Sequence, residues 1–256
     1  MADPIGRYVK DIEWIQERLL PMDGICKPVM GIGDWDDAAC VDFSGRLVAS
    51  TDGPYAKRLV MKSALVHAAT DVVVKGARPL FAMDSMMGPR VDVEDMVDSL
   101  KAQAIFMGIP ILGGNTLIEE AEPRCSITVV GRLETSQPIR DRTALAGDVI
   151  VIVGEPIWGE MEERLNKARV LFDTWFEALD RVKFSSAKDV TKGGLVSVVY
   201  EMEKKSGRRF VLDEVPYPRT RNLDNFLATL SEFEYVTLAG ICSRNGCRLI
   251  RIGTVE

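Results

Sequence analysis

The sequence predicts a mixed α/β (α+β) fold in two domains, residues 1–145 and 146–256, and three observations point there. Helical and strand-like segments interleave without settling into a regular strand–helix–strand series. A turn followed by an apolar run, TALAGDVIVIVGEP, opens near residue 145 and reads as the start of a new unit. The 256 residues suffice for two cores of roughly 100 to 150 residues each.

In chain order, residues 7–20 place Val9, Ile12, Ile15 and Leu19 near helical spacing, and Pro21 stops the helix. Residues 37–43 and 46–51 read as strands joined at Ser44-Gly45. Residues 59–75 carry a broad apolar helical face that ends at Gly76, with Pro79 just beyond. RPLFAMDSMM reads as a strand. Residues 91–107 form an amphipathic helix opened by Asp92, with Glu94 and Asp95 in a first turn where acids suit the helix dipole. PILGGNT and CSITVVGRL follow as strands around a glycine turn. Beyond residue 145 come a long charged helix over 159–184, a turn and helix in KDVTKGGLVSVVYEMEKKSG ending at Gly207, and strands at 210–215 and 248–255. The tail after residue 215 looks abbreviated.

Composition narrows the chemistry. The net charge of −6 argues against a broad nucleic-acid surface, which needs a basic excess. No apolar run approaches the ~20 residues of a membrane span, and the first residues lack the apolar core of a signal peptide. The five cysteines are scattered, with no CxxC pair, which reads as reduced thiols in the cytoplasm. His67 is the single histidine, so chemistry that needs two is excluded.

The common phosphate cradles, GxxxxGK[ST] and GxGxxG, are absent, as is a GxSxG elbow. What remains is a set of polar residues at expected strand ends and glycine turns: Asp36 and Asp37 in GDWDDAA, Asp52 in ASTDG, Asp71 in HAATDVVVKGARP, Asn115 in LGGNT and Asp189 in KDVTKGGL. Oxygen-rich clusters select hard cations such as magnesium, which takes one or two carboxylates and fills its shell with water and phosphate oxygens. Each position also has a plainer reading. Asp52 before Gly53-Pro54 fits turn chemistry, Asp71 a solvated helix face, Asp189 a helix N-cap and Asn115 a left-handed turn residue. His67 stands four residues before Asp71, within reach on one helix face, although a structural histidine is the simpler reading. Lys75 reads as surface, Lys192 as either surface or a phosphate contact, and Cys26 as an ordinary thiol.

Five segments in collinear order, GDWDDAACV, LVASTDG, KSALVHAATDVVVKGARPLFAM, ILGGNT and DVTKGGLVSVVYEM, resemble the aminoimidazole ribonucleotide synthetase (PurM-like) superfamily. Its members include thiamine-monophosphate kinase, selenophosphate synthetase, formylglycinamidine synthetase and the hydrogenase maturation protein HypE. The resemblance runs from about residue 29 to 206, with a weaker tail to 255. It implies an N-terminal domain whose strands join a β-barrel across a homodimer, and a C-terminal α/β sandwich. It implies ATP bound with Mg2+. Asp37, Asp52 and Asp71 match the acidic metal positions, Asp36 neighbours them, and Thr51 stands beside Asp52. Gly113, Gly114, Asn115 and Thr116 match a loop near the nucleotide, and Asp189 matches an acid facing the active site. The kinase branch usually has aspartate where this chain has Asn115, and Trp35 is inserted beside the usual acid pair.

The expectation is therefore an ATP- and magnesium-dependent enzyme that transfers a phosphoryl group to a small-molecule acceptor. Within that class a kinase comes before a ligase or dehydratase. The rival is a non-catalytic ATP-binding assembly or maturation protein related to HypE, which Asn115 and the short tail favour. A structural dimer without nucleotide is the third reading.

Overall fold

The computed structural model describes residues 14–28, 31–34 and 42–256. The chain divides into two compact units: residues 1–69 with 79–131, and residues 70–78 with 132–256.

The first unit holds a four-stranded sheet in the order β1-β4-β2-β3, made of β1 (Leu47–Ala56), β2 (Ala77–Gly88), β3 (Ile111–Ile118) and β4 (Arg124–Leu133). β2 and β3 are parallel, with Asp84 opposite Gly114 and Ser85 opposite Asn115. Parallel neighbours need a crossover, and helix α2 (Arg90–Met107) supplies it, following helix α1 (Ala64–Val74) in the chain. β4 buries Cys125, Ile127 and Val129 while its alternate residues stay partly open, the period of a strand with one covered face. Val93, Met96, Val97, Leu100 and Ala104 make the buried stripe of α2.

The expected helix over 59–75 is broken. A single turn at Lys57–Val60 precedes α1, which starts only at Ala64. α2 explains the break. Ser99 Oγ and Gln103 Nε2 donate to the Val60 carbonyl at 2.9 and 2.6 Å, and Gln103 Oε1 accepts from Leu65 N at 3.1 Å. Two buried side chains thus satisfy backbone groups that an unbroken helix would pair internally. Gly76 ends the segment at φ 85°, as the sequence suggests.

The glycine turn expected between two strands is also corrected. Gly113 and Gly114 lie inside β3, and the strand continues through Asn115 and Thr116. A Cβ on Gly114 would collide with the Asp84 carboxylate and backbone, so the glycine serves close strand approach rather than a turn. Near the N-terminus, residues 14–19 are helical and a tight turn at Leu20–Met22 contains Pro21. The rest of the expected N-terminal helix, and residues 37–41 of the first expected strand, lie outside the described residues; Asp42 and Phe43 are not in a strand.

The second unit is built on a five-stranded sheet in the order β6-β8-β5-β9-β7: β5 (Val149–Val153), β6 (Phe184–Asp189), β7 (Phe210–Leu212), β8 (Phe226–Leu230) and β9 (Leu249–Val255). β5 pairs antiparallel with β8 and β9, and all five of its residues are buried, so both sheet faces are covered. On one face Ile150, Ile152, Leu227 and Ile252 pack with Leu195, Val198 and Met202 of helix α4 (Gly194–Ser206). On the other, Trp175 of helix α3 (Met161–Leu179) stacks on Phe184 at 4.3 Å and meets Phe226 edge-on at 4.9 Å. Helix α5 (Glu232–Arg244) packs beside α3. The sequence reading missed β6, β8 and α5.

Candidate nucleotide and metal site

In the first unit, β1 presents Thr51 and Asp52 on opposite faces, as successive strand residues must. Thr51 Oγ1 is hydrogen-bonded to Thr128 Oγ1 at 2.8 Å, which ties β1 to β4. Asp52 Oδ1 accepts from Gly53 N at 2.7 Å, and Oδ2 lies 3.4 Å from His67 Nε2. His67 is buried and sits edge-on to Tyr55. So His67 has a structural place beside Asp52, while the Asp52 side chain keeps 35% exposure and can still offer an oxygen. Asp52 is a strand residue, not a turn residue.

On β3, Gly113, Gly114, Asn115 and Thr116 form extended backbone, so the left-handed reading of Asn115 fails. Asn115 is exposed. Asp84, directly opposite Gly114, escaped the sequence reading. Burial pushes its carboxyl up to about 7, and Cys125, whose thiol burial also pushes up, lies close by. The available signal was one acid, Asp84, spaced two residues from Ala82 and Met86, which share the covered face of the strand.

In the second unit, Asp71 occupies the C-terminal half of α1 and is partly buried. Asp189 ends β6 and is 3% exposed. Thr70 Oγ1 donates to Asp189 Oδ2 at 3.4 Å, which brings the stretch holding Asp71 to the end of β6. Asp189 is not a helix N-cap, because α4 begins five residues on, after Gly193 at φ 84°. A Cβ on Gly194 would meet the Arg219 and Arg221 carbonyl oxygens at 2.6 and 2.7 Å, so the chain crosses tightly there. Lys192 is exposed. Lys75, expected at the surface, is instead largely withdrawn and hydrogen-bonded to Asp141 and to the Ala187 carbonyl.

Asp36 and Asp37 lie outside the described residues, as does the side chain of Asp34. Just before them, Asp23 accepts from Ile32 N at 2.9 Å and Gly33 N at 2.8 Å, which folds the glycine stretch back on itself. Among the described residues no three His, Cys, Asp or Glu side chains gather closely enough to hold a metal ion by themselves. Magnesium does not require that, since one or two carboxylates with phosphate and water oxygens complete its shell. Asp52 in the first unit and Asp71 in the second are each hard oxygen donors of the kind such an ion takes.

The family model for the N-terminal domain of AIR synthase related protein matches residues 35–133. The uncharacterized protein MJ0799 of Methanocaldococcus jannaschii is 35% identical over 230 residues, spanning 88% of this chain and 77% of that protein. The chain belongs to the AIR synthase related family. Within the family, selenide, water dikinase of Caldanaerobacter subterraneus subsp. tengcongensis is 28% identical over 200 residues, covering 72% of this chain and 57% of that protein. A crystal structure of hydrogenase maturation protein HypE in complex with ATP shares the fold, with a TM-score of 0.76 over 94% of this chain and 86% of that one at 18% identity. No helix among the described residues is long and apolar enough to cross a membrane.

Proposed function

We propose that the chain binds ATP with Mg2+ and transfers a phosphoryl group to a small-molecule acceptor. The observation that supports this reading is the Thr70–Asp189 hydrogen bond, which brings the stretch of α1 holding Asp71 to the end of β6, where two of the acids that the resemblance points to lie. In this reading residues 1–145 are the nucleotide-binding and dimerisation domain, 146–256 are the second domain, and the protein works in the cytoplasm.

Asp52 and Asp71, with Asp37, would hold magnesium, and Asp36 and Thr51, with Gly113, Gly114, Asn115 and Thr116, would contact the nucleotide. The ion supplies charge neutralisation on the phosphoryl oxygens, the main demand of this chemistry. The Gly113–Thr116 strand lies along the nucleotide, where Gly113 and Gly114 let backbone approach closely. Asp189, almost wholly buried, orients the acceptor hydroxyl or takes its proton. The outer face of the first sheet supports a homodimer. Leu47 and Leu117 are 54% and 48% exposed on the faces that carry Thr51 and Asn115, and Met83 flanks Gly113. A second copy would cover this apolar face and close the strands into a barrel.

The test is γ-labelled ATP with magnesium against a panel of small alcohols, amines and phosphate esters. Label transfer that Asp189→Asn slows by about a hundredfold or more supports the reading. Retained Mg-ATP binding with no transfer to any acceptor would make the chain a nucleotide-binding assembly protein instead.

A further inference from the structure

The segment between β4 and β5 lines a cavity inside the second unit. Residues 138–142 run beside β6, where Ala187 N donates to Arg140 O at 3.4 Å and Thr143 Oγ1 donates to Ser185 O at 2.5 Å. A cavity of about 400 Å³ opens there, lined by Lys75, Arg140, Asp141, Arg142 and Lys205, with Ile139 as an apolar wall. Asp141 is the hub. It accepts from Lys75 and from Lys205 at 2.8 Å, and Lys188 lies 3.9 Å away. Glu201 meets Lys205 and Lys188 from the other side at 3.3 and 3.5 Å.

The charges do not balance. Five cations, Lys75, Lys188, Lys205, Arg140 and Arg142, face the carboxylates Asp141 and Glu201, with Asp189 a third that acts on Lys75. Arg140 and Arg142 have no side-chain hydrogen bond or ion pair among the described residues. Burial pushes the Lys75 ammonium down, while Asp141 and, after it, Asp189 pull it up. On a chain of net charge −6 this is a positive island with a floor already fixed in place. A purely structural ion pair would need one lysine for Asp141. It would not need two further guanidinium groups on a segment held to β6 by backbone bonds. Guanidinium forks match the geometry of phosphate oxygens, and such charge-assisted bonds are the strong ones.

We propose that this cavity binds a phosphate group, either free or on a small organic molecule, with Arg140, Arg142 and Lys205 as donors and the Asp141–Lys75 pair as the scaffold that aims them. The cavity opens beside β6, where Lys75 bonds the Ala187 carbonyl two residues before Asp189, and the proposal does not depend on the role assigned to that acid.

The experiment is calorimetric titration of the full chain at low ionic strength with inorganic phosphate and, separately, with phenyl phosphate. Both are repeated on the Arg140→Ala/Arg142→Ala double variant and on the wild type saturated with Mg-ATP. The expected result is saturable binding of at least one probe, weakened about tenfold or more in the variant and unchanged by Mg-ATP. Tighter binding of phenyl phosphate assigns a phosphate ester, and tighter binding of inorganic phosphate assigns the free ion. Both arginines are exposed, so the variant should keep the wild-type circular dichroism and melting curve. If it does not, Arg142→Lys, which keeps the charge but loses the fork, must still weaken binding. No saturation with either probe at millimolar concentration, equal binding by the variants, or displacement by Mg-ATP would overturn the proposal.

Discussion

The two units treat charge in opposite ways. In the first, neither Asp52 nor Asp84 is paired with a lysine or arginine among the described residues. Asp52 has a backbone amide and a histidine, and Asp84 lies under Gly114 beside a thiol. In the second, one withdrawn carboxylate, Asp141, is ringed by three lysines with two arginines beyond. A carboxylate without a cation in a poorly hydrated place is costly, and so is a surplus of cations. The first arrangement suits an added cation and the second an added anion. Charge that the chain leaves uncompensated therefore says more about ligands than the number of ion pairs does, most of which are exposed and contribute little.

The largest way to break this contrast is Asp141→Ala, which strands Lys75. Destabilisation of about 2–3 kcal/mol is expected by urea unfolding, below the range for fully buried pairs because Lys75 and Asp141 keep 25% and 17% exposure. An effect under about 0.5 kcal/mol would show the hub to be solvated like an ordinary surface pair. Gly114→Ala comes next. Its Cβ meets the Asp84 backbone as well as its carboxylate, so about 1–2 kcal/mol is expected from the same measurement.

Two smaller effects are read against pH. Asp84 has its folded pKa raised from 3.8 to about 7 by burial. The folded state therefore holds the proton more tightly than the unfolded chain. Stability falls as pH rises from about 4 to about 7 and is flat above. Asp84→Asn should remove that slope, so the variant gains on the wild type in melting temperature between those limits; parallel curves would contradict the burial argument. Asp141 has the opposite sign. Burial pushes its carboxyl up, but Lys75, Lys205 and Lys188 overcome this and hold it down to about 2. Its stabilisation is present above the unfolded value of 3.8 and lost as pH falls through about 2. Asp141→Asn should flatten the melting curve in that acid window alone.

The sequence revealed the elements whose pattern is local. VIVIV forms a strand and α4 ends at Gly207, both as read. It concealed what depends on a distant partner. The break before Ala64 exists because Gln103, nearly 40 residues on, satisfies Val60 and Leu65. The Gly113-Gly114 pair mimics a turn because its reason, Asp84, sits on another strand. Helix α5 did carry a local signal that went unread: Ser231 with Glu234 three residues later, whose amide donates to the Ser231 hydroxyl at 3.3 Å. The motifs singled out Asp52, Asp71 and Asp189 as candidates, but neither Asp84, one residue past a motif, nor the Lys75–Asp141 pair, because both draw their character from burial.

The most direct test of the nucleotide assignment is calorimetric titration of ATP with and without magnesium, on the wild type and on Asp71→Asn, a near-isosteric change on α1. Magnesium-dependent binding that the substitution abolishes is the predicted result. Binding that ignores magnesium or survives the substitution, or no binding at all, would contradict the placing of the family's acids at a nucleotide site.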